Sequence, residues 1–170
     1  PNVLDYFRYI RRASPQSHIN LTTNGSRLIG GISEAILKED LIDSIILSLE
    51  GADPETYESI RVGLGFEEVR NNFLEFLRLR KQLRKTHPTV SVAMVIVDRN
   101  RGTKAQFAEM WKEADAIRYS VFFNWAGKVS GKAPHSPSRI NYCERMDNYI
   151  SILADGRVAL CCFDSEGEYI

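Results

Sequence analysis

The chain has 170 residues, of which 44% are hydrophobic and 26% are charged, and its net charge at pH 7 is zero. This length permits one domain with a substantial core, or one domain and the beginning of another. The neutral balance argues against a dedicated nucleic-acid-binding protein, which needs a basic surface. No apolar run approaches the length of a membrane span, and no signal peptide precedes the three cysteines. We therefore expect a cytoplasmic protein without nucleic-acid or membrane partners.

The first part of the sequence alternates predicted helices with short apolar strands. Apolar residues at helical spacing predict a first helix that ends near Arg12, and a strand follows at 18–23. The turn-forming dipeptide Asn24-Gly25 ends this strand. After a second predicted helix, residues 44–49 form a nearly continuous apolar run, which is typical of a parallel strand buried on both faces.

Two further helices follow in the middle of the sequence. Asp53-Pro54 predicts the start of a short helix that runs to about Arg61, because proline suits the first helical turn. A long amphipathic helix begins at Phe66. Its first turn is acidic and its last turns are basic, as the helix dipole favours.

Two more apolar strands, 89–97 and 117–123, flank a further predicted helix. Thr103 and Gln106 have the spacing of a capping box at the start of that helix. Strands and helices that alternate in this way form right-handed βαβ units and a parallel sheet. The sequence therefore predicts an α/β fold with four parallel strands.

Each predicted strand ends in polar or turn-forming residues. Because the carboxyl ends of parallel strands form the ligand-binding edge of such folds, these ends predict one binding site, although any single end also fits an ordinary turn. Ser48 interrupts an apolar strand, and its hydroxyl needs either a backbone or a ligand partner. Arg61 either binds a carboxylate with two parallel hydrogen bonds or is a solvated surface charge. The candidate site residues are Thr23, Asn24, Gly25, Ser48, Glu50, Arg61, Asn100 and Asn124.

The cysteines near the carboxyl end indicate a metal site. Cys143, Gly156 and Cys161 have the spacing C-x12-G-x4-C, and Cys162 follows directly. An iron–sulfur cluster needs four protein ligands, and thiolates alone do not distinguish such a cluster from zinc. We expect the remaining ligands to lie beyond residue 170.

A predicted hairpin decides which of the adjacent cysteines faces this site. Two strand-like runs flank Asp155-Gly156. If these two residues form a two-residue type I′ turn, Cys161 lies opposite Ile150 and Cys162 points to the other face. Cys161 is then the expected ligand, and Cys162 is a buried structural thiol.

Together these motifs resemble those of the radical S-adenosylmethionine (SAM) enzymes that carry a carboxyl-terminal auxiliary-cluster domain, called SPASM or twitch. The third barrel strand of that family commonly ends in Thr-Asn-Gly, as residues 23–25 do here. The fourth commonly ends in Ser-Leu-Asp-Gly and is followed by an acidic helix and an arginine. Here residues 48–51 read Ser-Leu-Glu-Gly, and Arg61 follows. The C-x12-G-x4-C spacing matches the auxiliary-domain motif.

The resemblance implies three parts of the chain. Residues 1–126 would be the third to sixth strands of a partial (β/α)6 TIM-like barrel, residues 127–140 a linker, and residues 141–170 the first β-hairpin of a SPASM/twitch domain. The family's Cys-x3-Cys-x2-Cys loop, which binds the SAM-cleaving cluster, is not in this chain. We therefore expect the chain alone to be inactive.

The resemblance also implies an activity. The full enzyme would cleave SAM to a 5′-deoxyadenosyl radical that abstracts hydrogen from a peptide, an amino-sugar or another small substrate, with an electron from an external donor. Ser48 and Arg61 would contact the amino-acid end or ribose of SAM, and the other strand-end candidates would lie nearby. Cys143 and Cys161 would bind an auxiliary [4Fe-4S] cluster. The alternatives are a non-catalytic α/β module with a zinc-binding cysteine hairpin, and an unrelated barrel enzyme that binds a phosphorylated metabolite.

Overall fold

The computed structural model describes residues 2–123 and 148–168, which belong to two compact units, Pro1–Ser120 and Val121–Ile170. Asn124, Cys143 and the predicted linker 127–140 lie outside the described residues. The elements in chain order are α1 (Val3–Ala13), β1 (Asn20–Thr23), α2 (Gly30–Lys38), β2 (Ser44–Ser48), α3 (Pro54–Ile60), α4 (Phe66–Gln82), β3 (Thr89–Ile96), a 3₁₀ turn (Arg101–Thr103), α5 (Lys104–Met110), β4 (Ala116–Val121), β5 (Ser151–Ile152) and β6 (Val158–Ala159).

Strands β1 to β4 form one parallel sheet whose strand order follows the chain order. Thr23 lies beside Leu47, and Leu47 lies beside Val92, so the strand ends are closely aligned. Parallel neighbours need a crossover connection, and the intervening helices provide it. The prediction of an α/β fold with four parallel strands is confirmed.

Burial alternates along the central strands rather than covering both faces. Ile45 and Leu47 of β2 and Val92 of β3 are fully buried in the core, whereas Ile46 and Ser48 are half-buried. The prediction that 44–49 is buried on both faces is therefore wrong for the described structure. Helices cover one face of the sheet, and the second face carries smaller and more polar side chains.

We call this second face the open face. The residues of β4 that lie on the open face are identified from those that face the helices. Ile117 packs against the core, and the Tyr119 ring centroid lies 6.2 Å from that of Phe107 in α5. Since neighbours along a strand alternate faces, Arg118 and Ser120 lie on the open face. Its members are Asn20, Thr22, Ser44, Ile46, Ser48, Thr89, Ser91, Ala93, Val95, Ala116, Arg118 and Ser120, all half-buried or exposed except Ser91.

Local side-chain chemistry explains where the helices begin. The Asp53 carboxylate caps α3 by accepting a 2.8 Å hydrogen bond from the Thr56 N–H, and Pro54 fills the first turn. The long helix α4 buries an apolar stripe against the core.

Within residues 2–123 and 148–168, no helix has both the length and the hydropathy that a membrane crossing requires.

The predicted capping box at α5 does not form. The Thr103 hydroxyl donates to the Asn100 carbonyl at 2.9 Å, and the Gln106 amide donates to the Ala52 carbonyl at 3.2 Å. A 3₁₀ turn before α5 places both side chains on other partners. The spacing of the two residues was right, but the backbone ahead of the helix was not the extended one that a capping box needs.

The β5–β6 pair differs from the predicted two-residue hairpin. Ser151 lies opposite Ala159, and the Gly156 N–H donates to the Leu153 carbonyl at 2.9 Å. Gly156 has a φ of +90°, so the loop has three residues and ends in a glycine bulge. Glycine adopts this positive φ without steric cost, which favours the longer loop.

The predicted position of Cys161 opposite Ile150 is therefore wrong by one residue. Strand β6 ends at Ala159, and the Cys161 carbonyl accepts a 3.0 Å hydrogen bond from the Asp164 N–H. Cys161 thus begins a turn, and strand alternation does not decide the directions of the two cysteines.

Asp115, which precedes β4, joins α4 to the start of β3. Its Oδ2 accepts a 2.7 Å hydrogen bond from the Val90 N–H, and the Arg80 guanidinium donates to both carboxylate oxygens. Arg80 also donates to the Pro88 carbonyl at 2.9 Å. The hydrogen bond from Arg80, which outweighs the opposing effect of burial, lowers the pKa of Asp115 below its ordinary value.

We predict that Asp115→Asn lowers the free energy of unfolding at pH 7, because it removes the charge that pairs with Arg80. Solvent screens this half-exposed pair, so we expect a loss of only about 1 kcal/mol. The folded pKa lies below the unfolded value of about 3.9, so the stabilisation is complete above that value and is lost as the pH falls through the folded pKa. The difference in the free energy of unfolding between wild type and variant, measured by urea denaturation, should therefore become smaller below about pH 4. The exposed Glu113→Gln serves as the control, and a difference independent of pH would contradict the assignment.

Candidate functional site

The sheet brings most of the predicted site residues to its carboxyl edge. Ser48 ends β2 beside Ala93 of β3, and Thr23 ends β1. Glu50 follows β2, and Asn100 follows β3. The predicted convergence of strand ends is therefore observed for β1, β2 and β3, while Asn124, after β4, lies outside the described residues.

Glu50 and Arg61 form an ion pair that joins the end of β2 to the end of α3. Arg61 Nε donates to Glu50 Oε2 at 2.5 Å, and Nη2 donates to Oε1 at 2.9 Å. The Glu50 side chain is 4% exposed and that of Arg61 is 39% exposed. The hydrogen bond to Glu50 raises the pKa of Arg61 above its ordinary value. No described residue accepts a hydrogen bond from Nη1, so this nitrogen remains available to a ligand.

Close packing at Gly51 permits this pair. A Cβ at position 51 would lie 2.7 Å from the Tyr57 nitrogen and 2.8 Å from its Cα, and these backbone atoms cannot move aside independently. Tyr57 is fully buried, with its ring centroid 5.6 Å from that of Phe66. Burial raises the pKa of the Tyr57 hydroxyl. Glycine therefore lets α3 pack onto the strand end, which brings Arg61 to Glu50.

Asn100 ties the ends of β2 and β3 together. Its Nδ2 donates to the Glu50 carbonyl at 2.9 Å and to the Val95 carbonyl at 2.8 Å, while its Oδ1 accepts from the Val97 N–H at 2.9 Å. Asn100 is fully buried, and both of its amide hydrogens are used. Its side chain therefore shapes the edge and has no amide hydrogen left for a ligand.

The side chains of Thr23 and Asn24 build a turn. Thr23 Oγ1 accepts from the Gly25 N–H at 3.1 Å, and Asn24 Oδ1 accepts from the Ser26 N–H at 3.1 Å. Gly25 has a φ of +80°, and a Cβ there would lie 2.8 Å from Leu47 Cδ1. This conformation requires glycine. The prediction that the turn contacts a ligand stays a prediction, and its strongest candidate atom is Asn24 Nδ2, which has no partner among the described residues.

Ser48 is the candidate whose chemistry most favours a ligand. Its half-buried side chain lies on the open face at the carboxyl edge. Its hydroxyl forms no hydrogen bond within residues 2–123 and 148–168. A hydroxyl that is partly removed from water gains from a ligand partner. Whether the Ser48 hydroxyl and Arg61 Nη1 contact SAM, as the family resemblance implies, stays a prediction.

The cysteines leave the cluster prediction untested. Cys161 is half-buried and forms no disulfide in the described part of the chain. Cys162 is exposed, so the prediction of a buried thiol at this position is wrong. No group of three or more His, Cys, Asp or Glu side chains in that part could hold a metal ion. Because Cys143 lies outside it, its predicted partnership with Cys161 stays a prediction.

Sequence reasoning missed two residues. Tyr57 was not singled out, although it anchors α3, because its burial depends on the close approach at Gly51. Arg118 was also missed. Its signal was available, since it lies between Ile117 and Tyr119 in an alternating strand, which puts a charge on the face opposite the helices.

Compared with known proteins, the chain matches no protein-family model, and no curated protein shows significant similarity to it. The residues and their geometry therefore carry the functional inference.

We predict that Arg61→Met lowers the free energy of unfolding by about 2–3 kcal/mol, because it leaves the buried Glu50 carboxylate without a partner. Urea denaturation at pH 7 measures the change. Arg78→Met is the matched control: its pair with Glu75 has side-chain exposures of 55% and 53%. Water screens such a solvated pair, so its loss should change the free energy of unfolding much less. Equal losses in the two variants would show that the Glu50–Arg61 pair is not a buried constraint.

Proposed function

We propose that this chain is the carboxyl-terminal part of the barrel of a radical SAM enzyme, followed by the beginning of an auxiliary iron–sulfur domain. One observation carries the proposal. At the carboxyl edge of a parallel sheet, Ser48 presents a hydroxyl without a described partner, and Arg61 keeps Nη1 available beside a buried carboxylate. The order of the Thr-Asn-Gly, Ser-Leu-Glu-Gly and C-x12-G-x4-C motifs adds to it.

The strand order supports a barrel origin for the sheet. Crossovers between parallel strands have one hand, so four strands in chain order place their helices on the same face. A doubly wound sheet instead reverses its order at a switch point. The open face, with its hydroxyls and small side chains, suits the interior of a barrel that holds a ligand near the carboxyl ends of its strands.

The described residues have distinct roles in this proposal. Ser48 donates to or accepts from SAM, and Arg61 donates from Nη1 to an anionic group. Glu50 fixes the plane of the Arg61 guanidinium, so that one edge of it faces the ligand. Asn100 holds the backbone of Glu50 in place. When bound, SAM and its cluster supply the radical that abstracts hydrogen from the substrate.

The auxiliary domain contributes the second cofactor. Cys143 and Cys161 bind a [4Fe-4S] cluster, and further cysteines outside this sequence complete its four ligands. The substrate is a peptide, an amino-sugar or another small molecule, and an external donor supplies the electron.

The adjacent cysteines provide a matched test of the cluster. In the full-length protein, reconstituted anaerobically with iron and sulfide, we predict that Cys161→Ser lowers the iron content by about four atoms per chain, because one [4Fe-4S] cluster loses a ligand. Cys162→Ser, one residue away, should retain the wild-type iron content. Iron and zinc are measured by mass spectrometry of the metals. Equal iron contents in both variants, or bound zinc in place of iron, would overturn the auxiliary-cluster assignment.

A further inference from the structure

Arg118 is an isolated charge on the open face of the sheet. It is the central member of β4 on that face, flanked along the strand by Ala116 and Ser120. Its neighbours in sequence, Ile117 and Tyr119, pack towards the core and α5. Arg118 therefore projects away from the helices, and its side chain is exposed.

The rest of the open face carries no charge. Among its twelve members, Arg118 is the only charged residue, and the others are hydroxyl, amide or alkyl side chains. No carboxylate from a described strand neutralises it on this face. Within residues 2–123 and 148–168, Arg118 forms no ion pair or hydrogen bond. Several other arginines, including Arg8, Arg11 and Arg80, are paired with carboxylates.

We propose that Arg118 anchors a carboxylate group of the substrate. This inference rests on the proposed function, in which the open face lines the interior of the barrel. A guanidinium surrounded by uncharged side chains in a partly desolvated interior favours an anion, and its planar fork matches a carboxylate with two parallel hydrogen bonds.

A carboxylate fits this position better than a phosphate does. Phosphate sites usually add several backbone N–H donors at a helix N-terminus. The backbone N–H groups around Arg118 belong to an extended edge strand and do not converge on one point as those of a helix N-terminus do. The neighbouring open-face side chains contribute hydroxyls, such as that of Ser120, and no second cation. One guanidinium is sufficient for a monoanion.

Matched acid and amide probes test the proposal on the full-length protein. Saturation-transfer NMR in the presence of SAM measures the binding of benzoate against benzamide, and of N-acetylalanine against its primary amide. We expect wild type to prefer each acid, and Arg118→Gln to reduce that preference about tenfold. Arg118→Lys should retain part of it, because lysine keeps the charge without the planar fork. Inorganic phosphate should compete with the acids only weakly.

Arg12→Gln is the control, because Arg12 is an exposed arginine on α1 without a hydrogen bond or ion pair among the described residues. It should keep the wild-type acid preference. SAM affinity, measured by calorimetry, should change less than about twofold in Arg118→Gln. Equal binding of acids and amides to wild type would overturn the proposal. It would also be overturned if Arg118→Gln lost SAM affinity by the same factor as it lost the acid preference. If wild type does not bind SAM but keeps an Arg118-dependent acid preference, the anion site stands and the proposed enzyme function fails.

Discussion

The carboxyl edge of the sheet depends on the burial of Glu50. A carboxylate removed from water is tolerated only when it is paired and hydrogen-bonded, and Arg61 supplies both conditions through two donors. The backbone carbonyl of the same residue accepts from Asn100. One residue thus couples β2 to α3 through its side chain and to β3 through its main chain. The position of α3 over the strand end follows from this coupling, together with the absence of a Cβ at Gly51.

This coupling separates structural polar groups from groups that are available to a ligand. Asn100 uses both amide hydrogens within the fold, and the side-chain oxygens of Thr23 and Asn24 accept hydrogen bonds within their own turn. The Ser48 hydroxyl, Asn24 Nδ2 and Arg61 Nη1 have no hydrogen-bond partner among the described residues. Most hydrogen-bonding groups at the strand ends are therefore satisfied within the fold, and only a few are left for a ligand. These few groups suit a small ligand with a few polar groups better than they suit a large charged partner.

Much of the fold was predictable because its signals are local. Apolar runs and helical periodicity gave all four strands of the sheet and the long helix α4, with ends one or two residues from the observed ones. The turn at Gly156 was less predictable, since Asp-Gly suits both two-residue and three-residue hairpin loops. The choice between them shifted the register at Cys161. The capping box does not form because a 3₁₀ turn replaces the extended backbone that it needs before α5, and the Thr103 hydroxyl donates to the Asn100 carbonyl instead.

The candidate site was predictable as a place but not as a set of contacts. Parallel strands bring their carboxyl ends together whatever their side chains are, so strand ends alone located Ser48 and Glu50 at one edge. The pairing of Glu50 with Arg61 depends on the path of α3 over the strand end, which sequence spacing does not specify. For Arg118, the alternation of Ile117, Arg118 and Tyr119 indicates a charge on the face opposite the helices, but a single arginine in a short strand fits a solvated surface charge equally well.

The central claim is that the edge formed by Ser48 and Arg61 binds SAM, and calorimetric titration of the anaerobic full-length protein with SAM tests it most directly. Ser59→Ala is the control, because Ser59 is exposed on α3 and its hydroxyl donates to a carbonyl of its own helix. The account predicts that wild type and Ser59→Ala bind SAM equally, and that Ser48→Ala binds it about fivefold more weakly, as the loss of one hydrogen bond implies. Failure of wild type to bind SAM, or equal binding by Ser48→Ala, would contradict it.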